Sequence, residues 1–251
     1  MKKIALMMMF VWANVGLAQP VEVDFKKLYL EHMDTHGGIM KKETIVSLVL
    51  DETGSMTSVK GKTISGFNEY IDGLKKIKNK VLFTLTKFNS DMVKVVYNTV
   101  KIKDVKHLTD NSYQPQAMTP LYDAIGTAIN QLSKNLKEAK QKVLFVILTD
   151  GLENHSQEYT SEQITNLIEE KRDEGWQFVF LGANQDAWIQ GQKFGMLKGN
   201  TMSYDSQNIK GMMGQTLLNA TVAYSSSATT PTSTFVDTYM DIGHKKKSKK
   251  K

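Results

Sequence analysis

At 251 residues, with 41% hydrophobic and 23% charged side chains, the chain has the composition of a globular protein with one sizeable core and short appendages. Its formal charge of +6 does not mark a nucleic-acid-binding face: Lys245, Lys246, Lys247, Lys249, Lys250 and Lys251 account for the whole excess, and no basic face with interleaved aromatics is visible in the body. The absence of cysteine excludes disulfide frameworks, thiolate metal sites and cysteine nucleophiles.

Residues 1–18 have the layout of a secretory signal: Lys2 and Lys3, an apolar run from Ile4 to Ala13, then small residues at Gly16 and Ala18. The run is too short to span a bilayer, so no transmembrane segment is expected in the mature chain. A competing reading takes Met40-Lys41-Lys42 as the translation start, which would make the protein cytoplasmic; otherwise it is exported, periplasmic or secreted. Residues 19–42 form a linker. His32 and His36 sit four apart there, but without the His-Glu-x-x-His order or a third ligand they make a poor metal site.

From Thr44 the pattern alternates strand and helix. Apolar runs at Ile45–Leu50, Val81–Phe88, Val143–Leu148 and Phe178–Leu181 predict buried strands. Helical periodicities lie between them, at Ile64, Phe67, Ile71 and Leu74, at Leu121 to Leu136, and at Ile164, Leu167 and Ile168, where Thr160 and Gln163 form a capping box. Val93–Ile102 alternates after Asn89-Ser90-Asp91 and predicts an antiparallel edge strand. Further along, the sequence predicts a helix over Ala183–Phe194, a short strand over Thr201–Tyr204, and a helix from Asp205 to Tyr224 interrupted at Gly211 and Gly214. The expected architecture is a doubly wound α/β domain over residues 43–224, with a mostly parallel sheet and helices on both faces. Residues 225–251 are a Ser/Thr-rich linker and a lysine tail, able to contact anionic surfaces weakly.

The chemistry concentrates at strand ends, where open α/β sheets bind ligands. The first strand runs into Asp51-Glu52-Thr53-Gly54-Ser55, Met118-Thr119-Pro120 opens a helix, and another strand ends in Thr149-Asp150-Gly151. Two carboxylates and three hydroxyls, from Asp51, Thr53, Ser55, Thr119 and Asp150, are the oxygen donors that Mg²⁺ or Mn²⁺ takes. Each residue also has a plain structural role. Thr119 before Pro120 suits a helix N-cap with proline at N1, and both aspartates suit strand-end turns.

Taken together, these motifs resemble the von Willebrand factor type A domain with a metal-ion-dependent adhesion site, over roughly Thr44 to Tyr224. The resemblance implies a Rossmann-like fold in which Thr53, Ser55 and Thr119 reach the cation directly and Asp51 and Asp150 act wholly or partly through water. One coordination position would stay open for the acidic side chain of a protein partner. The family usually has serine where this chain has Thr53, whose extra methyl group restricts its rotamers. Glu52, Glu153, Asn154, His155 and Asp186 are expected near the same rim, either shaping partner choice or standing as solvated loop residues. The implied function is metal-dependent protein binding without enzymatic activity. Two alternatives remain at this point. One is a P-loop-like nucleotide hydrolase built on Gly61-Lys62-Thr63, although the spacing from Gly54 breaks the Gly-x-x-x-x-Gly-Lys-Thr pattern; the other is a metal-free scaffold of the same fold.

Overall fold

The computed structural model describes residues 43–77, 80–136, 141–183, 187–197, 200–205 and 208–227. The signal-like segment, the linker with His32 and His36, Met40, Asp186 and the lysine tail lie outside the described residues. In chain order the elements are β1 (Thr44–Asp51), a 3₁₀ turn (Gly54–Val59), α1 (Lys60–Lys75), β2 (Val81–Asn89), β3 (Met92–Lys101), α2 (Leu121–Asn135) and β4 (Lys142–Thr149). They continue with α3 (Ser161–Asp173), β5 (Gln177–Ala183), α4 (Ala187–Gln192) and β6 (Thr201–Tyr204). A final helical segment starts with one turn at Ile209–Gly211, passes through a π-helical turn at Met212–Leu217 and ends as α5 (Leu218–Ser226).

The strands form one sheet in the order β3-β2-β1-β4-β5-β6, parallel except for β3, which pairs antiparallel with β2. Strand alternation sends side chains to two cores. Val46, Leu48 and Leu50 of β1 face one layer with Phe67, Tyr70, Ile71 and Leu74 of α1 and Met213, Leu217 and Tyr224 of the final helical segment. Ile45 and Val49 face the other, with Leu121, Ile125, Ile129 and Leu132 of α2 and Ile164 and Ile168 of α3. All the apolar residues of β1 are fully buried, which explains the unbroken apolar run of a strand covered on both faces. Among the described residues no helix is long and apolar enough to cross a membrane.

The predicted doubly wound architecture and its edge strand are present, with three local corrections. Ala183 closes β5, and the helix after it covers Ala187–Gln192. The glycines at 211 and 214 do not end the last helix: Gly211 closes its first turn, Gly214 lies in the π-helical turn, and helix continues to Ser226. A Cβ on Gly214 would meet the Glu69 side chain at 2.6 Å and one on Gly211 the Asn208 side chain at 2.5 Å, so each glycine sits close against a neighbouring side chain. The third correction concerns Thr119. The residue preceding α2 is Pro120, with no side-chain cap bond, so Thr119 is not the N-cap.

Strand order fixes where a site can form. β2 lies on one side of β1 and β4 on the other, so the chain changes direction across β1 and leaves a crevice at the carboxyl ends of β1 and β4. Leu50 is in register with Leu148, which brings Asp51 beside Thr149 and Asp150.

Candidate functional site

The buried end of the site is Asp51. Its Oδ1 accepts the Thr53 amide at 2.7 Å and its Oδ2 accepts the Thr149 hydroxyl. The Thr149 hydroxyl oxygen accepts the Gly151 amide at 3.0 Å, tying the β1 and β4 loops through one carboxylate. Further out, the hydroxyls of Thr53 and Ser55 lie 3.2 Å apart, and Ser55 donates to Asp150 Oδ1 at 2.5 Å.

Thr119 closes the third side. A Cβ placed on Gly151 would come within 2.9 Å of Thr119 Oγ1 and 3.4 Å of Ser55 Oγ, so both hydroxyls flank one point and only glycine leaves it open. The five predicted residues therefore meet on one rim. They grade from Asp51 and Thr53, wholly buried, through Thr119 at 4% exposure, to an exposed Ser55.

Burial is the main reason that the Asp51 carboxyl is pushed up to about 6; the bonds from Thr149 and Thr53 oppose the shift, and the negative charge of Asp150 adds to it. Asp150 is raised too, first by desolvation, with the Ser55 bond acting against it. Among the described residues no lysine, arginine or histidine forms an ion pair with either aspartate. Two carboxylates in a partly dry crevice without a basic partner suit a cation. Gathered with three neutral hydroxyls, they make an all-oxygen donor set of the kind that hard divalent ions prefer. No group of three or more His, Cys, Asp or Glu gathers as a metal cage among the described residues, so the donor set depends on its hydroxyls.

Two networks hold the loops. Glu52 is buried and paired with Lys87 at 2.7 Å, and its Oε1 also accepts the Gln114 amide at 2.5 Å. Lys87 donates in addition to the Ser112 carbonyl at 2.6 Å, while Tyr113 Oη donates to the Asp51 carbonyl at 2.6 Å. Together these bonds fasten the long 105–120 loop, which carries Thr119, to the end of β1.

On the other side, Asn154 clamps Thr119 at two points: its Oδ1 accepts the Thr119 amide at 2.8 Å, and its own amide donates to the Thr119 carbonyl at 3.1 Å. Glu153 and Ser156 accept the Tyr122 amide, both at 3.0 Å, and so cap α2 from the neighbouring loop. Asp123 returns the tie by accepting the amides of Gln157, Glu158 and Tyr159 at 2.8–2.9 Å.

Glu52 and Glu153 thus fasten the loops from buried and half-buried positions, while Asn154 does so from an exposed one. His155 is half-buried on the same loop. Sequence reasoning missed Lys87, Thr149 and Asp123. For Thr149 a signal existed, a hydroxyl residue directly before a strand-end aspartate, and Asp123 stood in a helix's first turn, where a carboxylate is favoured. Lys87 carried none, because nothing in a strand sequence tells which buried acid lies across from it.

The von Willebrand factor type A domain profile matches residues 46–216, and the chain belongs to that family. Among solved structures it is similar to proximal thread matrix protein 1 from the mussel byssus, at 13% identity and a TM-score of 0.52, covering 70% of this chain and 46% of that one. It is also similar to the pilus adhesin SpaC from Lactobacillus rhamnosus GG in its open conformation, at 13% identity and a TM-score of 0.55, covering 73% of this chain and 30% of that one. The matched part thus spans less than half of either structure, and at this identity the likeness speaks to the fold. No curated protein matches the sequence. The nucleotide-hydrolase alternative gains no support: although Gly61-Lys62-Thr63 opens a helix, as it does in a phosphate loop, the preceding Gly54–Val59 segment is a 3₁₀ turn rather than a phosphate-cradling loop.

Proposed function

We propose that this domain is a binding module that captures a protein partner through a divalent cation, Mg²⁺ or Mn²⁺, and has no enzymatic activity of its own. The observation that carries the reading is the convergence of three hydroxyls on two carboxylates that have no basic partner among the described residues. Thr53, Ser55, Thr119, Asp51 and Asp150 would hold the cation, which when bound supplies a Lewis-acid attraction for an acidic side chain. The hydroxyls contribute no charge, so the bound ion would keep part of its attraction for an external anion. Asp51 anchors the set from within while Ser55 and Asp150 open it to solvent, the gradient a ligand arriving from outside requires.

A metal-free scaffold is the competing reading, and affinity capture separates the two. Partners retained on the wild-type chain in Mg²⁺ should be released by chelator and should not be retained by a Thr119→Val variant. Capture indifferent to chelator would favour the scaffold. The amino-terminal layout favours an exported protein, checked by whether the mature chain begins after Ala18 when the full sequence is expressed with its native leader.

A further inference from the structure

Two large apolar side chains stand exposed beside the oxygen set: Met118, next to Thr119, at 47% and Leu152, next to Gly151, at 57%. Among the described residues the other exposed large apolar side chains are Ile189, Leu197 and Val222, on α4, just after it, and on α5. A lone exposed apolar residue needs no explanation. Here two separate loops each present one, and the Asn154–Thr119 clamp fastens those loops together at 2.8 and 3.1 Å.

The backbone supports the same reading. Ala117 has φ of +62°, a left-handed conformation that an alanine adopts against its steric preference, and its carbonyl is fixed by the Gly54 amide at 3.0 Å. Immediately after this kink, Thr119 is buried with its hydroxyl at Gly151 while Met118 is left in solvent. On the facing loop Gly151 is buried against Thr119, Leu152 is exposed, and Glu153 turns to cap α2.

Charged neighbours at this rim are already engaged. Glu52 is held by Lys87, Asp91 by Gln116 at 3.0 Å, and Lys60 by Asp110 at 3.5 Å. The apolar pair is the part of this rim that no polar contact accounts for.

We propose that the partner's carboxylate is flanked by apolar side chains, which cover Met118 and Leu152 while the carboxylate reaches the oxygen set. This rests on the reading that the set holds a divalent cation. The physical reason is that a carboxylate meeting a hydrated cation in open water gains little, whereas apolar cover on both sides excludes water and strengthens the attraction.

The test uses labelled synthetic peptides with Leu-Glu-Leu, Ser-Glu-Ser or Leu-Gln-Leu cores, titrated by fluorescence anisotropy in Mg²⁺ and in EDTA. The proteins are the full chain, a Met118→Ser/Leu152→Ser variant and a conservative Met118→Leu/Leu152→Met variant. Calorimetry measures Mg²⁺ binding by each. Leu-Glu-Leu should bind in Mg²⁺ at least about tenfold tighter than either control peptide and fall to their level in EDTA. The preference should vanish in the serine variant and survive in the conservative one, with all three Mg²⁺ isotherms alike. Equal binding of Leu-Glu-Leu and Ser-Glu-Ser, no binding of either beside an intact Mg²⁺ isotherm, or a preference surviving in the serine variant overturns the proposal. Absence of the wild-type Mg²⁺ isotherm overturns the cation reading itself, and this proposal with it.

Discussion

Replacing Asp51 by asparagine separates what the buried carboxylate does for the fold from what it does for a cation. Burial pushes the Asp51 carboxyl up to about 6 from an ordinary 3.8, so holding it ionised at pH 7 without a cation costs about 3 kcal/mol. The sign follows from linkage. A carboxyl raised on folding binds its proton more tightly in the native state, so this penalty is absent below pH 3.8, grows as pH rises, and is complete above about 6.

Asparagine is neutral at every pH. Its carbonyl can still accept the Thr53 amide, and Thr149, freed as a donor, has the Gly151 carbonyl at 3.3 Å as an alternative acceptor. Imperfect replacement of the Thr149 bond takes back part of the gain, leaving the metal-free variant more stable by roughly 1–2 kcal/mol at pH 7. Urea unfolding in chelator measures this. In saturating Mg²⁺ the order should reverse, because an ion at a hundred times its dissociation constant stabilises the wild type by about 2.7 kcal/mol and the variant by almost nothing. A variant less stable than wild type in chelator, or stabilised equally by Mg²⁺, would refute the reasoning.

Three further outcomes are expected. Cation affinity should weaken as pH falls through about 6, where Asp51 takes up its proton, so calorimetric titrations should give a weaker constant at pH 5 than at pH 7.5. Breaking the Lys87–Glu52 pair from one side, as Lys87→Met or Glu52→Gln, should cost about 3–5 kcal/mol, while the double variant recovers most of that; additive losses in a double-mutant cycle would deny the coupling. Thr99 sits at φ of +53°, unfavourable for a β-branched residue, so Thr99→Asn should stabilise the fold by about 1 kcal/mol in thermal unfolding.

The sheet was legible in the sequence because strands buried on both faces are continuous apolar runs, and β1, β2, β4 and β5 each left one. The capping box at Thr160 was equally local, and both of its reciprocal bonds are present. The last helical segment was harder: Gly211 and Gly214 signal a break when propensity alone is weighed, whereas packing against α1 keeps the chain helical by widening one turn. At the site, residue identities were readable and roles were not. Thr119 was open to two readings, an N-cap or an inward hydroxyl, because the choice depends on where helix α2 begins and on the Asn154 clamp from 35 residues away. The Lys87–Glu52 pair joins strand ends also 35 residues apart, a distance over which no local pattern carries information.

The most direct measurement is calorimetric titration of Mg²⁺ and Mn²⁺ into the metal-free chain and into Asp150→Ala. One site in the wild type, lost in the variant while its circular dichroism stays native, is the expected result. Equal heats in both proteins, or none in the wild type, would contradict the assignment of Asp51, Thr53, Ser55, Thr119 and Asp150 to a cation.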